Sequence, residues 1–157
     1  MTNLLGEFEC RLDAKARLAL PSGLKKQLAQ NEQDRFVINR GFEKNLALYP
    51  EKEWIQITKE INSLNLYNKK NREFVRYFYR GATELTTDAA SRILIPKSLQ
   101  EYAGIDKDIV LIAYGQRIEI WAKDVYEEML NKEPEDFATL AEEVMGKINK
   151  TNNEDLP

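Results

Sequence analysis

No histidine occurs among the 157 residues, and cysteine occurs once, as Cys10. Those two scarcities remove Ser-His-Asp and Cys-His nucleophile pairs, the usual zinc ligand sets and any internal disulfide framework. The seven glycines build neither G-x-G-x-x-G nor a Walker-type phosphate loop. No apolar run approaches the ~20 residues a membrane-spanning helix needs. The start, Met1 to Glu7, lacks the basic and apolar stretches of a signal peptide. No paired-carboxylate motif stands out, and the commonest general base is absent. The expectation is therefore a cytoplasmic protein that is not an enzyme, with no cofactor, no metal, no membrane association and no small-molecule substrate.

What is present is an ordinary soluble balance, 43% hydrophobic and 31% charged, long enough for one domain or two small fused ones. The net charge of −3 is unevenly spread. From Glu127 onward nine acidic residues face three basic ones, which leaves the first 126 residues with a positive excess. A local basic patch decides nucleic-acid binding, so the acidic tail does not argue against it.

Self-similarity organises the chain. Gly6 to Asp13 leads into Ala14-Lys15-Ala16-Arg17-Leu18-Ala19-Leu20-Pro21, and 75 positions on Gly81 to Asp88 leads into Ala89-Ala90-Ser91-Arg92-Ile93-Leu94-Ile95-Pro96. Glycine, aspartate, arginine and proline fall in register. Leu24 matches Leu99, and with a one-residue slip Phe36-Val37-Ile38 matches Val110-Leu111-Ile112, Gly41 matches Gly115, and Leu48-Tyr49 meets Ile120-Trp121.

Each copy repeats the same local physics. Phe8, Cys10 and Leu12 alternate with Glu7, Glu9 and Arg11, the period of a half-buried strand; the second copy alternates less clearly around Leu85. Asp13 to Ala16 is a tight connection whose Asp side chain accepts backbone N–H groups. Leu18 and Leu20, or Ile93 and Ile95, turn the next strand's apolar face inward. Pro21 or Pro96 ends that strand and suits the first turn of a helix. Leu24 and Leu28, like Leu99 and Ala103, lie four apart on one helix face, and Gly104 is placed to stop its helix. Two more strands follow, with Gly41 at the turn between them in the first copy.

Glu51 to Arg80 contains no glycine or proline. Trp54, Ile57, Ile61 and Leu64 recur at helical spacing. A break is expected over Asn65 to Asn71, then a second helix with Phe74, Val75, Tyr77 and Phe78. The run Tyr77-Phe78-Tyr79 reads as core packing, with a subunit contact as the alternative. Val125 to Lys150 reads as helical with an interruption at Pro134, and Thr151 to Pro157 as a frayed polar end. The expected divisions are a first unit over 6–53, a helical connector over 54–80, a second unit over 81–125, and an acidic C-terminal helix and tail over 126–157. The expected fold is mainly β with helices (α+β).

The doubled pattern Asp-x-x-x-Arg-φ-x-φ-Pro (φ apolar) resembles the SpoVT-AbrB domain of bacterial transition-state regulators and antitoxins. Tandem copies with a helical connector, ending in Glu119-Ile120-Trp121, resemble the MraZ family. So do Phe74 to Phe78 before Gly81, Tyr102 to Lys107, and Leu48-Tyr49-Pro50. The likeness reaches to about residue 128. It implies swapped-hairpin β-barrel half-units, a ring-shaped homo-oligomer, and binding of double-stranded DNA at promoter repeats. It also implies transcriptional regulation, chiefly repression of the chain's own division and cell-wall gene cluster, with nucleoid association.

The resemblance places DNA contact on the turn after the first strand. That maps onto Lys15 and Arg17 in the first copy and Arg92 in the second, where Ala90 replaces the lysine. Arginine can fork onto phosphate or guanine, while lysine suits phosphate. Asp13 and Asp88, with Ala16 and Ser91, support the turns, because a carboxylate near phosphates is repelled. Other readings stay open. Arg17 and Arg92 can serve as structural partners of Asp13 and Asp88. Arg11, Lys25, Lys26 and the cluster Lys69, Lys70, Arg72, Arg76 and Arg80 read first as solvated. The family commonly carries glycine where this chain has Ala16 and Ser91. Either the turn avoids a positive φ here, or the loop is reshaped. Two rival functions are an AbrB-fold antitoxin and an oligomeric scaffold without DNA binding.

Overall fold

In a computed structural model of the chain, residues 3–132 and 136–154 are described, the last six of these as backbone only. The period-2 pattern of the first copy becomes β1 (Leu4–Arg11), and β2 (Arg17–Ala19) follows the tight turn. A short α1 (Ser22–Lys25) and a 3-10 turn (Gln30–Glu32) lead to β3 (Arg35–Arg40) and β4 (Leu46–Pro50). The connector is two helices, α2 (Glu51–Asn62) and α3 (Lys69–Tyr79). The second copy repeats the order as β5 (Thr83–Thr86), β6 (Arg92–Leu94), α4 (Lys97–Ala103), β7 (Asp108–Gly115) and β8 (Arg117–Ala122). α5 (Lys123–Asn131) and α6 (Phe137–Glu154) close the chain. The fold is α+β, with more residue positions in helix than in strand.

Local chemistry sets the helix ends. Pro21, Pro50 and Pro96 occupy the N-cap positions of α1, α2 and α4 with φ near −57°; the fixed φ of proline suits that entry. Asn68 caps α3 by accepting the Asn71 N–H at 3.1 Å, so the break in the connector spans 63–68 and is shorter than the sequence suggested. Gly104 ends α4 at φ 65°, a left-handed position where glycine meets no Cβ penalty. The interruption expected at Pro134 and the last three residues of the expected tail lie outside the described residues.

The two copies share their sheets. A six-stranded antiparallel sheet runs β1-β7-β8-β4-β3-β5, and a separate ribbon pairs β2 with β6. β1 of the first copy thus pairs with β7 of the second, and β5 of the second with β3 of the first. Exchanging equivalent strands of the two copies reverses the order and leaves it unchanged, so the sheet has internal two-fold pseudosymmetry. Residues 1–126 form one compact unit and residues 127–157 another.

Alternation fills the core of the first unit. Phe36, Ile38, Leu46 and Leu48 with Ile109, Leu111, Ile118 and Ile120 point to one sheet face, where Leu18 and Ile93 of the ribbon join the same cluster. Leu18 and Ile93 are register partners and both 0% exposed. Each contributes about 1.5–3 kcal/mol by burial. The intervening residues, among them Ala47, Tyr49 and Arg117, face the other side of the sheet.

α3 overturns one expectation. Tyr77-Phe78-Tyr79 does not pack as core: Tyr77 is 71% exposed and Phe74, one turn earlier, 44% exposed. Phe78 stacks on Trp54 of α2 at 5.4 Å, and Tyr79 meets the same indole edge-on. α3 lies at the outer rim of this face, and nothing among the described residues of the first unit covers its far side.

Candidate nucleic-acid interface

The tight turn after β1 is held by one carboxylate. Asp13 Oδ1 accepts the backbone N–H groups of Lys15 and Arg17, each at 2.9 Å, and Oδ2 accepts Arg17 Nε at 2.7 Å. The Ala16 N–H donates to the Asp13 carbonyl, and the Asp13 N–H to the Arg17 carbonyl. This is a three-residue loop closed by a left-handed residue, a place where glycine is favoured. Ala16 sits there at φ 60°.

The second copy reproduces the device. Asp88 Oδ1 accepts from the N–H groups of Ala90 and Arg92, and Oδ2 accepts Arg92 Nε at 2.8 Å. Ser91 takes the left-handed position at φ 59°. The missing glycines therefore do not abolish the positive φ. A residue with a Cβ carries the conformation at a cost of roughly 1–2 kcal/mol.

That strained geometry does something for assembly. The Ala16 carbonyl accepts the Ile95 N–H at 3.1 Å, and the Ser91 carbonyl accepts the Leu20 N–H at 3.3 Å. Each left-handed residue thereby ties its own turn to the other copy's strand, extending the β2–β6 ribbon. The two turns meet: Arg92 Nη1 lies 3.6 Å from Asp13 Oδ2.

The register then fixes what faces out. Arg17 opposes Leu94 and Ala19 opposes Arg92, all on the ribbon's outer side, while Leu18 and Ile93 point in. Lys15 is exposed at the turn's tip. Lys25 of α1 adds a fourth cation, its Nζ donating to Ser91 Oγ at 2.6 Å. Four cations, Lys15, Arg17, Lys25 and Arg92, thus gather with the two carboxylates of Asp13 and Asp88, a local excess of positive charge.

Both carboxylates stay ionised. The Arg17 backbone N–H, above all, holds the Asp13 carboxyl below the usual carboxylate range, helped by the Arg17 side chain and the Lys15 N–H against a partial desolvation. Asp88 is lowered in the same way, first by the Arg92 backbone N–H. An ionised Asp orients each guanidinium through Nε, and the donors on the far edge of the guanidinium remain for an outside acceptor such as a phosphate or a guanine edge. Structural pairing and DNA contact are compatible in this geometry.

All the residues singled out from the sequence gather here: Asp13, Lys15, Ala16 and Arg17 from one copy, Asp88, Ser91 and Arg92 from the other. Lys25, solvated by the sequence pattern alone, joins them through Ser91. Its neighbour Ser91 is 66 positions away, and no local pattern links them. The cationic run on α3 is elsewhere; Arg72 there donates to the carbonyls of Leu66 and Tyr67 and holds the connector's bend. Among the described residues no cluster of three or more His, Cys, Asp or Glu could hold a metal ion, and no helix is long and apolar enough to cross a membrane.

A family model described as "MraZ protein, putative antitoxin-like" matches residues 4–77 and again 78–148. The chain is 51% identical over 147 residues to a protein of Christiangramia forsetii named transcriptional regulator MraZ, covering 93% of this chain and 95% of that one. A protein of the same name from Flavobacterium psychrophilum is 47% identical over 95% and 96% of the two chains. One from Desulforamulus reducens is 36% identical over 90% and 96%.

Proposed function

The chain belongs to the MraZ family, and on that premise we propose that it is a transcriptional regulator that grips double-stranded promoter DNA with its paired basic turns. The observation that carries this reading is the joining of the two Asp-x-x-x-Arg turns into one cationic surface, with Arg17 and Arg92 aimed outward by Asp13 and Asp88. Lys15 and Arg17 carry the strongest contacts, and Arg92 a weaker one, because Ala90 leaves its turn without the lysine. The residues that support the turns are Asp13, Ala16, Asp88 and Ser91.

The finer reading follows the family. The target is a set of repeated boxes upstream of the chain's own division and cell-wall gene cluster, which the protein represses from a nucleoid-associated, cytoplasmic position. A single turn pair is a small electrostatic foothold; a homo-oligomeric ring presenting many pairs to repeated boxes adds avidity. The exchange of β1 and β5 between the copies supports units 6–53 and 81–125 as swapped-hairpin halves of one barrel, with 54–80 as connector and 126–157 as the acidic C-terminal part.

The test is fluorescence anisotropy on the duplex upstream of the gene, with scrambled duplex as competitor. Selective binding that weakens in Lys15→Ala and Arg17→Ala, with the melting temperature of Lys15→Ala unchanged, is the expected result. Equal affinity for both duplexes would sink the operator reading.

A further inference from the structure

The outer face of the sheet holds a groove that the DNA reading does not use. A hollow of about 270 Å³ between Arg40, Phe42, Tyr77 and Tyr102 runs on, through Phe74 and Arg117, into a second hollow of about 430 Å³ beside Ile57 and Ile61. Its rim is aromatic and uncovered: Phe42 is 77% exposed and Tyr77 71%. Its charge is mixed along its length: Glu60 lines the second hollow and Arg117 pairs with Glu119 at 3.4 Å, while the first hollow is cationic. Arg40, Arg80 and Arg117 line the first hollow and no carboxylate does. Arg40 stacks on Tyr102 at 4.4 Å, and its Nε is shielded from water without a partner. Exposed aromatics beside arginines are the composition of binding hot spots, and an uncovered apolar patch of this kind marks an interaction site.

The second compact unit presents the complementary surface. On α6, Phe137, Leu140, Val144, Met145 and Ile148 recur at the spacing of one helix face, and each is at least 40% exposed. Glu142, Glu143 and Lys147 flank that stripe, and from Glu127 on the chain carries nine acidic residues against three basic. An amphipathic helix in an acidic segment is what an aromatic hollow edged by arginines receives, by i, i+3, i+7 anchors.

We infer that the groove around Phe42 and Tyr77 of one copy is the docking site for the apolar face of α6 of a second copy. The two surfaces are unlike, so the contact is head-to-tail and each copy offers both halves of it. This deepens the self-association proposed above and rests on it.

The experiment uses the full chain with light scattering after size-exclusion chromatography. Phe42→Asp/Tyr77→Asp disables the groove, and Val144→Asp/Ile148→Asp disables the helix face; all four positions are exposed, and thermal melts check the fold. Each variant alone is expected to fall to the mass of a monomer, while their equimolar mixture regains a dimer, because one sound groove then meets one sound helix. Folded variants that keep the wild-type mass would overturn the inference and leave self-association standing on another surface, as would variants that fall to monomers but stay monomeric when mixed. A monomeric wild type would instead remove the self-association reading itself, and this inference with it.

Discussion

Replacing Ala16 by glycine is expected to stabilise the protein, and replacing Ala14, two residues earlier, to destabilise it. Ala16 holds φ 60°, while Ala14 has no positive φ. The left-handed conformation costs a residue with a Cβ about 1–2 kcal/mol, which glycine escapes. Against that relief, glycine adds unfolded-state freedom worth about 0.5–1 kcal/mol. The lost methyl is only half-buried against the core, so it forfeits less than the ~0.8 kcal/mol of a fully buried carbon. The balance at Ala16 is a gain of about 0.5 kcal/mol, whereas Ala14→Gly meets the entropy cost with no relief. The difference between the variants is the strain, less what the half-buried methyl of Ala16 forfeits. At about 2–4 °C per kcal/mol for a chain of this size, their melting temperatures should differ by roughly 2–8 °C, with Ala16→Gly the higher. Differential scanning calorimetry at pH 7 reads this directly. Equal losses in the two variants would refute the claim that the turn stores left-handed strain. Ser91→Gly should gain less than Ala16→Gly, since it also loses the hydrogen bond from Lys25.

Two other outcomes follow from the same structure. Asp13 and Asp88 have lowered pKa values in the folded state, so the stability they contribute is present above the unfolded Asp value near ~3.9 and is lost as pH falls through the lower folded values. Melting temperature should therefore drop more steeply between about pH 4 and pH 2 in the wild type than in Asp13→Asn/Asp88→Asn; parallel curves would contradict it. Leu18→Ala and Ile93→Ala should each cost about 2–5 kcal/mol in chemical denaturation. Because the two face each other in the ribbon, their double variant should be non-additive by about 0.5 kcal/mol or more, and strict additivity would argue against that register.

How much of this could be read from residues alone depended on range. The repeat, the Asp turn and the proline entries are local: Asp13 reaches only as far as Arg17, and Pro21 fixes its own φ. The partners of β1 and β5 were not legible, because Phe8 buries one face equally well beside a strand of either copy. The side-by-side placement of Arg17 and Arg92 followed from that long-range pairing, and so did Lys25 beside Ser91. Tyr77 and Phe78 misled for another reason. Aromatic residues at helical spacing look the same whether a core or open water lies above them; what decides is whether another element covers the face. Ala16 and Ser91 were visible as departures from the family glycine, but only the backbone shows that the positive φ persists and that each carbonyl uses it to bond the other copy.

The most direct test of the paired-turn interface is the salt dependence of promoter-duplex affinity between about 50 and 200 mM salt, where each phosphate contact contributes about 0.9 to the slope of log K against log salt. Lys15→Ala should flatten that slope by about 0.9 for each turn pair on the duplex. Ala90→Lys, which gives the second turn the lysine it lacks, should steepen the slope by a similar amount and tighten binding. Slopes that match the wild type in both variants would contradict the account and place the DNA-binding surface elsewhere on the protein.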